Sequence, residues 1–278
     1  MAAAGTEAGG ARDDGYLARV IRVLEVFDSE LTALKVSAIA GAAELPLPTA
    51  YRIVGDLVSH GLLGRDVDGR IRLGSRLWEL ANRGSPLEGL REAARSELIS
   101  VHTATGFHTN FAVLREGTVL VVDRIVADTD LRNRSITAAR MSALRSSLGL
   151  AMLAHAPYAQ LRLAIALELA ELPEPSVGER DAFAVAEESA KRELDGVRRR
   201  GYAAQRGQQD TNTMGVAAPV LGERGLAVAS IGVIMPVDTT HAAELAAAER
   251  LRHVAGRIAD RIDQGQAGGA VSRPATRG

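Results

Sequence analysis

The sequence predicts an α+β chain in two parts: an N-terminal winged helix-turn-helix with a short linker helix, then an antiparallel sheet with helices packed on it. Three observations carry this prediction. Residues 36–63, VSAIAGAAELPLPTAYRIVGDLVSHGLL, read as two helices parted by a break at Leu45-Pro46. Asp68-Gly69 follows as a hairpin turn signal. Beyond residue 106 the apolar pattern switches to a period of two, over 107–126 and again over 215–235.

Residues 1–15, MAAAGTEAGGARDDG, are small and polar, with no apolar leader core, and are expected to be disordered. The winged module is placed at 16–74. It opens with a stripe of Leu17, Val20, Ile21, Leu24 and Phe27 that can cover a core. The second helix of the pair starts at Pro48-Thr49, because proline is tolerated in a first helical turn. From there Ala50, Ile53, Val54 and Leu57 keep a 3.6-residue period and face inward. Pro48, Tyr51, Arg52, Gly55 and Ser59 fall on the outer face, where a merely solvated helix would carry Glu and Lys. Arg can read guanine or grip phosphate, and Tyr and Thr hydroxyls can bond phosphate. Arg65, Arg70 and Arg72 lie on the hairpin, where a wing reaches a groove or the backbone.

This module is not basic overall. Residues 13–84 hold nine Lys and Arg against ten Asp and Glu, so positive charge is local. One copy should bind DNA weakly, and two copies reading two half-sites are expected.

A linker helix is placed at 75–85, with Trp78 as a core residue, and a boundary at Gly84-Ser85-Pro86. The second domain is placed at 86–265. A helix over 87–104 puts Leu90, Ala94, Leu98 and Val101 on one stripe. Two strands within 107–126 join at Arg115-Glu116-Gly117. After an Arg-rich connection come helices near 145–155, 157–171 and 179–200, then an irregular polar stretch, QRGQQDTNTM. Strands at 215–221 and 226–235 turn through Glu223–Gly225, and an amphipathic helix covers about 239–263. The tail 266–278 is expected to be disordered.

The 278 residues carry a net charge of −1, which excludes a generally polybasic protein. The absence of cysteine excludes disulfides, thiolate catalysis and Cys-ligated zinc. No run reaches the length of a membrane span, and a cytoplasmic setting is expected. None of the six histidines has the spacing of a metal motif, although His102, His108 and His155 could meet in space. No catalytic residue, metal or cofactor is expected, since no nucleophile elbow, phosphate loop or dinucleotide fingerprint is present.

From about Tyr16 to Ile262 the chain resembles the IclR-type transcriptional regulators. The resemblance rests on LPLPTAYRIVGDLVSHGLL with RDVDGRIRLGSRLWELA, then on AVLREGTVLVVDRI, SSLGLAMLA, and the GYA and GVAAPV segments in that order. It implies that the second domain is GAF-like and binds a small effector, commonly an organic or aromatic acid. It implies a homodimer, often a dimer of dimers, on an operator. It places Thr49, Tyr51 and Arg52 at DNA-contacting positions, with Leu47 and Pro48 departing from the usual basic and hydroxyl residues.

The effector site expected in this domain is Asn110, Arg124, Arg145, Ser146, Ser147, Gln208, Gly232 and Ile234, with Asn110 on a strand where it can face a ligand or solvent; the resemblance bears on the last three. Gln208 stands where an acid is common, and Gly232 and Ile234 where small hydroxyl residues are frequent. A less polar pocket with a single anchor is therefore expected. Arg145 beside a Ser-rich helix start can hold a carboxylate; equally, Ser146 or Ser147 can cap that helix while Arg145 is solvated. Asp123-Arg124 reads as an internal ion pair. Two other functions stay open on the residues alone: a constitutive DNA binder with a vestigial pocket, and an enzyme fused to a DNA-binding module.

Overall fold

In a computed structural model the described residues are 15–27, 31–83, 85–127, 140–171 and 179–271. The expected tails, apart from residues 15 and 266–271, and most of the Arg-rich connection lie outside them. The chain divides into two compact units, Met1–Ser85 and Pro86–Gly278.

The first unit runs α1 (Tyr16–Glu25), α2 (Val36–Ala42), α3 (Leu47–Ser59), β1 (Leu63–Arg65), β2 (Ile71–Leu73) and α4 (Ser75–Asn82). Pro46 precedes α3 and Pro48 sits in its first turn, so neither removes a helical hydrogen bond. Ala50, Ile53, Val54 and Leu57 are buried against Val23, Ile39, Leu63 and Ile71. Glu44 closes α2 in the left-handed region, and the next amide, Leu45 N–H, donates back to the Ala40 carbonyl. Leu34 exchanges both backbone hydrogen bonds with Ile71, which ties the segment before α2 to the wing.

Two expectations of this unit are corrected. Of the stripe that opens the unit, Val20, Leu24 and Phe27 pack on the core as expected, beside buried Val23, but Leu17 is 71 % exposed and Ile21 is also exposed. Trp78 is not a core residue but 70 % exposed, and α4 buries no residue at all. The unit is too thin to cover these faces: its one core lies between α1, α2, α3 and the hairpin.

The second unit runs α5 (Pro86–Thr105), β3 (His108–Arg115), β4 (Thr118–Ile125), β5 (Arg140–Ser142), α6 (Ser147–Leu153), α7 (Tyr158–Ala170), α8 (Glu179–Arg200), β6 (Ala203–Arg206), β7 (Thr213–Leu221), β8 (Ala227–Pro236) and α9 (His241–Val271). The strands form one antiparallel sheet in the order β5-β4-β3-β8-β7-β6. β5 falls at the end of the expected connection. β6 takes in the first residues of the expected irregular stretch, and α9 runs past the expected end of the domain.

Side chains alternate across the sheet. Phe111, Val113, Met214 and Ile231 pack on one face with Leu98 of α5 and Leu251 and Ile258 of α9. Ala112 and Ala217 pack on the other with Leu150, Met152 and Leu153 of α6, then Ile165 and Leu194 of α7 and α8. The result is a sheet between two helical layers.

An ion cluster joins α5 to α9. Buried Glu97 accepts from Arg257 Nε at 3.1 Å and Nη2 at 2.5 Å, and from Arg261 Nη2 at 2.8 Å. These guanidinium hydrogen bonds hold the Glu97 carboxyl below the usual carboxylate range, against the opposing effect of burial. A lowered folded value stabilises the fold above the unfolded value and loses that contribution as pH falls through the folded one. Glu97→Gln is expected to cost about 1–3 kcal/mol at pH 7, discounted because both arginines are half-exposed. Urea unfolding at pH 7 and in steps below pH 4.5 checks this: the gap between wild type and variant should close as the solution is acidified.

The β3–β4 turn places Glu116 and Gly117 at φ 51° and 76°, a type I′ hairpin. The Gly117 amide donates to Gln160 Oε1 at 2.9 Å, and a Cβ on Gly117 would stand 2.7 Å from the Ala164 nitrogen. Gly117→Ala is therefore expected to destabilise by about 2–4 kcal/mol, combining positive φ with overpacking against α7. Thermal unfolding should show a clear fall in Tm; an unchanged Tm would mean that the turn does not dock as described.

Candidate DNA interface and ligand pocket

In the first unit, α3 presents Tyr51, Arg52, Gly55 and Ser59 to solvent, with Thr49 half-buried on its flank. Arg52 is not a free cation: its guanidinium carbon lies 5.2 Å from the centre of the Tyr16 ring. The Tyr16 hydroxyl donates to Asp56 Oδ2 at 2.7 Å, and this bond to a carboxylate raises the phenol pKa. α1 thus holds Arg52 in place from below. Ser59 spends its proton locally, donating to the Asp56 carbonyl at 2.8 Å beside His60. It sits in the last turn of α3, away from the N-terminal turns with which recognition helices usually meet base edges.

The wing is a three-residue loop, longer than Asp68-Gly69 alone suggests. Asp66 N–H donates to the Arg70 carbonyl, and Asp66 Oδ1 accepts from the amides of Asp68 and Arg70 at 3.0 and 2.9 Å. Val67 stands fully exposed at the tip. Arg65, Arg70 and Arg72 are exposed around it, with Arg72 opposite Gly64 across the hairpin. The tip therefore carries cations and two carboxylates together, which weakens its pull on phosphate.

The pocket belongs to the second unit. It lies where the start of α6 crosses β3, β8 and β7, is partly open to solvent, and holds a small cavity of about 50 Å³. One row of the sheet contributes Asn110 opposite Gly232; the next brings Ile234 opposite Gly215. α6 can lie this close because Gly215 lacks a side chain: a Cβ there would stand 2.5 Å from Ser147 Oγ. Ser146 and Ser147 are buried in the wall.

Seven of the eight expected effector residues line this one cavity: Asn110, Arg145, Ser146, Ser147, Gln208, Gly232 and Ile234. Arg124 does not. It lies opposite Asn110 on β4, one strand farther out. The expected ion pairing of Asp123 is made with other partners: Asp123 accepts from Arg95 at 2.9 and 3.0 Å, with Arg91 at 3.6 Å, and meets Arg124 through that residue's backbone N–H at 2.8 Å.

The expectation of a less polar pocket with a single anchor is met in part: most of the lining surface is apolar and Arg145 is the one formal charge among the described lining residues, but further polar side chains reach it. Gln205, Gln209 and Thr213 also line it. Gln205 Nε2 donates to the Leu144 carbonyl and Gln209 Nε2 to the Arg145 carbonyl, each at 3.0 Å, so two glutamines brace the turn that leads into α6. Gln205 Oε1 is buried without a partner among the described residues. Ser146 occupies the cap position of α6 but makes no side-chain capping bond, and Arg145 pairs with Glu168 at 3.8 Å. Among the described residues, no Asp or Glu lines the cavity; Arg145 is its one formal charge. These residues suit an anionic ligand with polar substituents.

Among the described residues, no group of three or more His, Asp or Glu is placed to hold a metal ion. His102 Nδ1 lies 2.9 Å from the Phe107 carbonyl, and His108 Nδ1 accepts from Ala127 N–H at 2.9 Å. Burial, aided by the Arg198 charge, pushes the His155 pKa down. No described helix is long and apolar enough to cross a membrane.

Comparison with known proteins bears on both sites. Residues 16–67 match the IclR helix-turn-helix domain, and residues 87–260 match the bacterial transcriptional regulator IclR C-terminal domain. A crystal structure of an IclR homolog complexed with 4-hydroxybenzoate, from Microbacterium hydrocarbonoxydans, is 35 % identical. The match covers 89 % of this chain and 99 % of that one, with a TM-score of 0.75. An IclR homolog from Microbacterium sp. strain HM58-2 is 32 % identical over 90 % of this chain and 98 % of its own, with a TM-score of 0.51. The glycerol operon regulatory protein of Streptomyces coelicolor is 26 % identical, over 82 % of this chain and 87 % of its own.

Proposed function

From its membership of the IclR family of bacterial transcriptional regulators, a family of DNA-binding regulators and not of enzymes, we propose that this chain reads its operator as a homodimer, or a dimer of dimers, under the control of an aromatic monocarboxylic acid. The observation that carries the ligand class is the pocket itself. It holds one guanidinium, amide and hydroxyl groups, and no carboxylate among its described lining residues. The 4-hydroxybenzoate complex of the 35 % identical homolog supports the same class. In this reading Arg145 meets the carboxylate, while Asn110, Ser146, Ser147 and Gln208 orient the ring and its substituents.

On DNA, α3 enters the major groove. Thr49, Tyr51 and Arg52 meet base edges and phosphates, Ser59 flanks the backbone, and Arg65, Arg70 and Arg72 grip phosphate beside the wing. Exposed apolar residues on α1 and α4, Leu17, Ile21, Trp78 and Leu80, support self-association through this unit. Pairing also compensates for the small local excess of positive charge.

Selection of binding sites from a random DNA pool, followed by anisotropy titration with and without 4-hydroxybenzoate, tests this reading. Enriched sites should show two half-sites spaced by about one helical turn or a multiple of it. The acid should change operator affinity by about 5–150-fold. Arg72→Ala should weaken all sequences alike and reduce the salt slope by about one, whereas Tyr51→Ala should relax preference at one position of each half-site. A clear operator whose affinity ignores every aromatic acid would favour the constitutive DNA binder. Trp78→Glu should lower the sedimentation coefficient if α4 lies in the dimer contact; an unchanged value would place that contact elsewhere.

A further inference from the structure

No acid lines the pocket among the described residues, yet one stands behind its only cation. Glu168 of α7 places Oε1 3.8 Å from Arg145 Nη1. Its other oxygen, Oε2, accepts the Ser142 hydroxyl at 2.5 Å, and Ser142 Oγ in turn accepts the Arg145 backbone N–H at 3.3 Å. Glu168 is 22 % exposed in its side chain and Arg145 is 52 % exposed. A second cavity backs onto the first: Glu168 and Ser142 line it, and Met141 lines both.

We propose that Glu168 is an internal competitor for Arg145, a positioning residue that sets how strongly the pocket prefers a carboxylate over a neutral ligand of the same shape. The proposal rests on Arg145 being the anion partner in the function proposed above. The two members of the pair are held unequally. The short bond from Ser142 fixes the Glu168 carboxylate, whereas the Arg145 contact is long, half in solvent and therefore weak. Arg145 is thus the member that can move, and a ligand carboxylate in the pocket offers it a second partner of equal charge. Glu168 opposes that exchange in two ways: it holds the guanidinium, and its negative charge repels the incoming anion. A neutral ligand meets neither opposition.

The test uses the full chain and two probes of one shape, benzoate and benzamide, titrated by calorimetry into wild type, Glu168→Gln, Arg145→Ala and the double variant. Glutamine keeps an oxygen to accept from Ser142 but removes the charge. Benzoate is expected to bind Glu168→Gln about three- to ten-fold more tightly than wild type, with benzamide unchanged. In the Arg145→Ala background the gain should shrink to the part that relief of charge repulsion supplies; a gain of undiminished size there would overturn the competition for Arg145. A merely structural role for Glu168 would move both probes together. Glu168→Ser, also neutral, repeats the test if the glutamine variant loses its thermal transition. Equal benzoate affinity in wild type and both neutral variants would overturn the competitor while leaving the pocket reading intact. Failure of both probes to bind any variant would overturn both.

Discussion

The second unit depends on one short helix lying flush against a sheet. All seven residues of α6 are buried, with β3, β7 and β8 beneath it and α8 outside. Such close approach tolerates almost no side-chain volume. A Cβ on Gly215 would fall 2.5 Å from Ser147 Oγ, and one on Gly232 would fall 3.1 Å from Leu148 Cδ2. The pocket is the space left where this tight contact ends, at the turn before α6. Its shape therefore follows from packing beneath the helix as much as from the residues that line it. The glutamines that brace this turn act as struts between the sheet edge and the helix start.

The first unit shows the opposite economy. Its core is small, its outer faces stay apolar, and its positive charge sits on a few arginines. Arg52 illustrates the compromise. Stacking on Tyr16 and the neighbouring Asp56 reduce its reach as a free cation but limit the conformations that it must lose on meeting DNA. A unit built this way gains little from non-specific attraction, which is why the proposed function pairs two copies in register.

The helix-turn-helix was legible because Ala50, Ile53, Val54 and Leu57 keep a 3.6-residue period directly after the break at Pro46 and Pro48, and periodicity survives without knowledge of partners. The same reasoning failed at Trp78, Leu17 and Ile21. Spacing shows that a residue shares a face with others; it does not show whether the surface that covers that face belongs to the same chain. Arg124 failed for a related reason. Strand parity puts it on the face of Asn110, but parity is silent on lateral distance, and one strand is enough to leave the pocket. Gln205, Gln209 and Thr213 were hidden in a polar stretch read as irregular, because the edge strand β6 is only four residues long and carries too little apolar alternation to register. A pocket polar enough to orient a ligand is, in sequence, hard to tell from a loop.

The exposed side chain of Trp78 has a spectroscopic consequence. It is the sole tryptophan of the chain, so the indole emission of the whole protein comes from α4 of the first unit, while the ligand cavity lies entirely in the second. In a single subunit that emission should be red and readily quenched by iodide. Each covering of α4 should move it toward the blue, giving an unlabelled optical signal for what the first unit does when the second is filled.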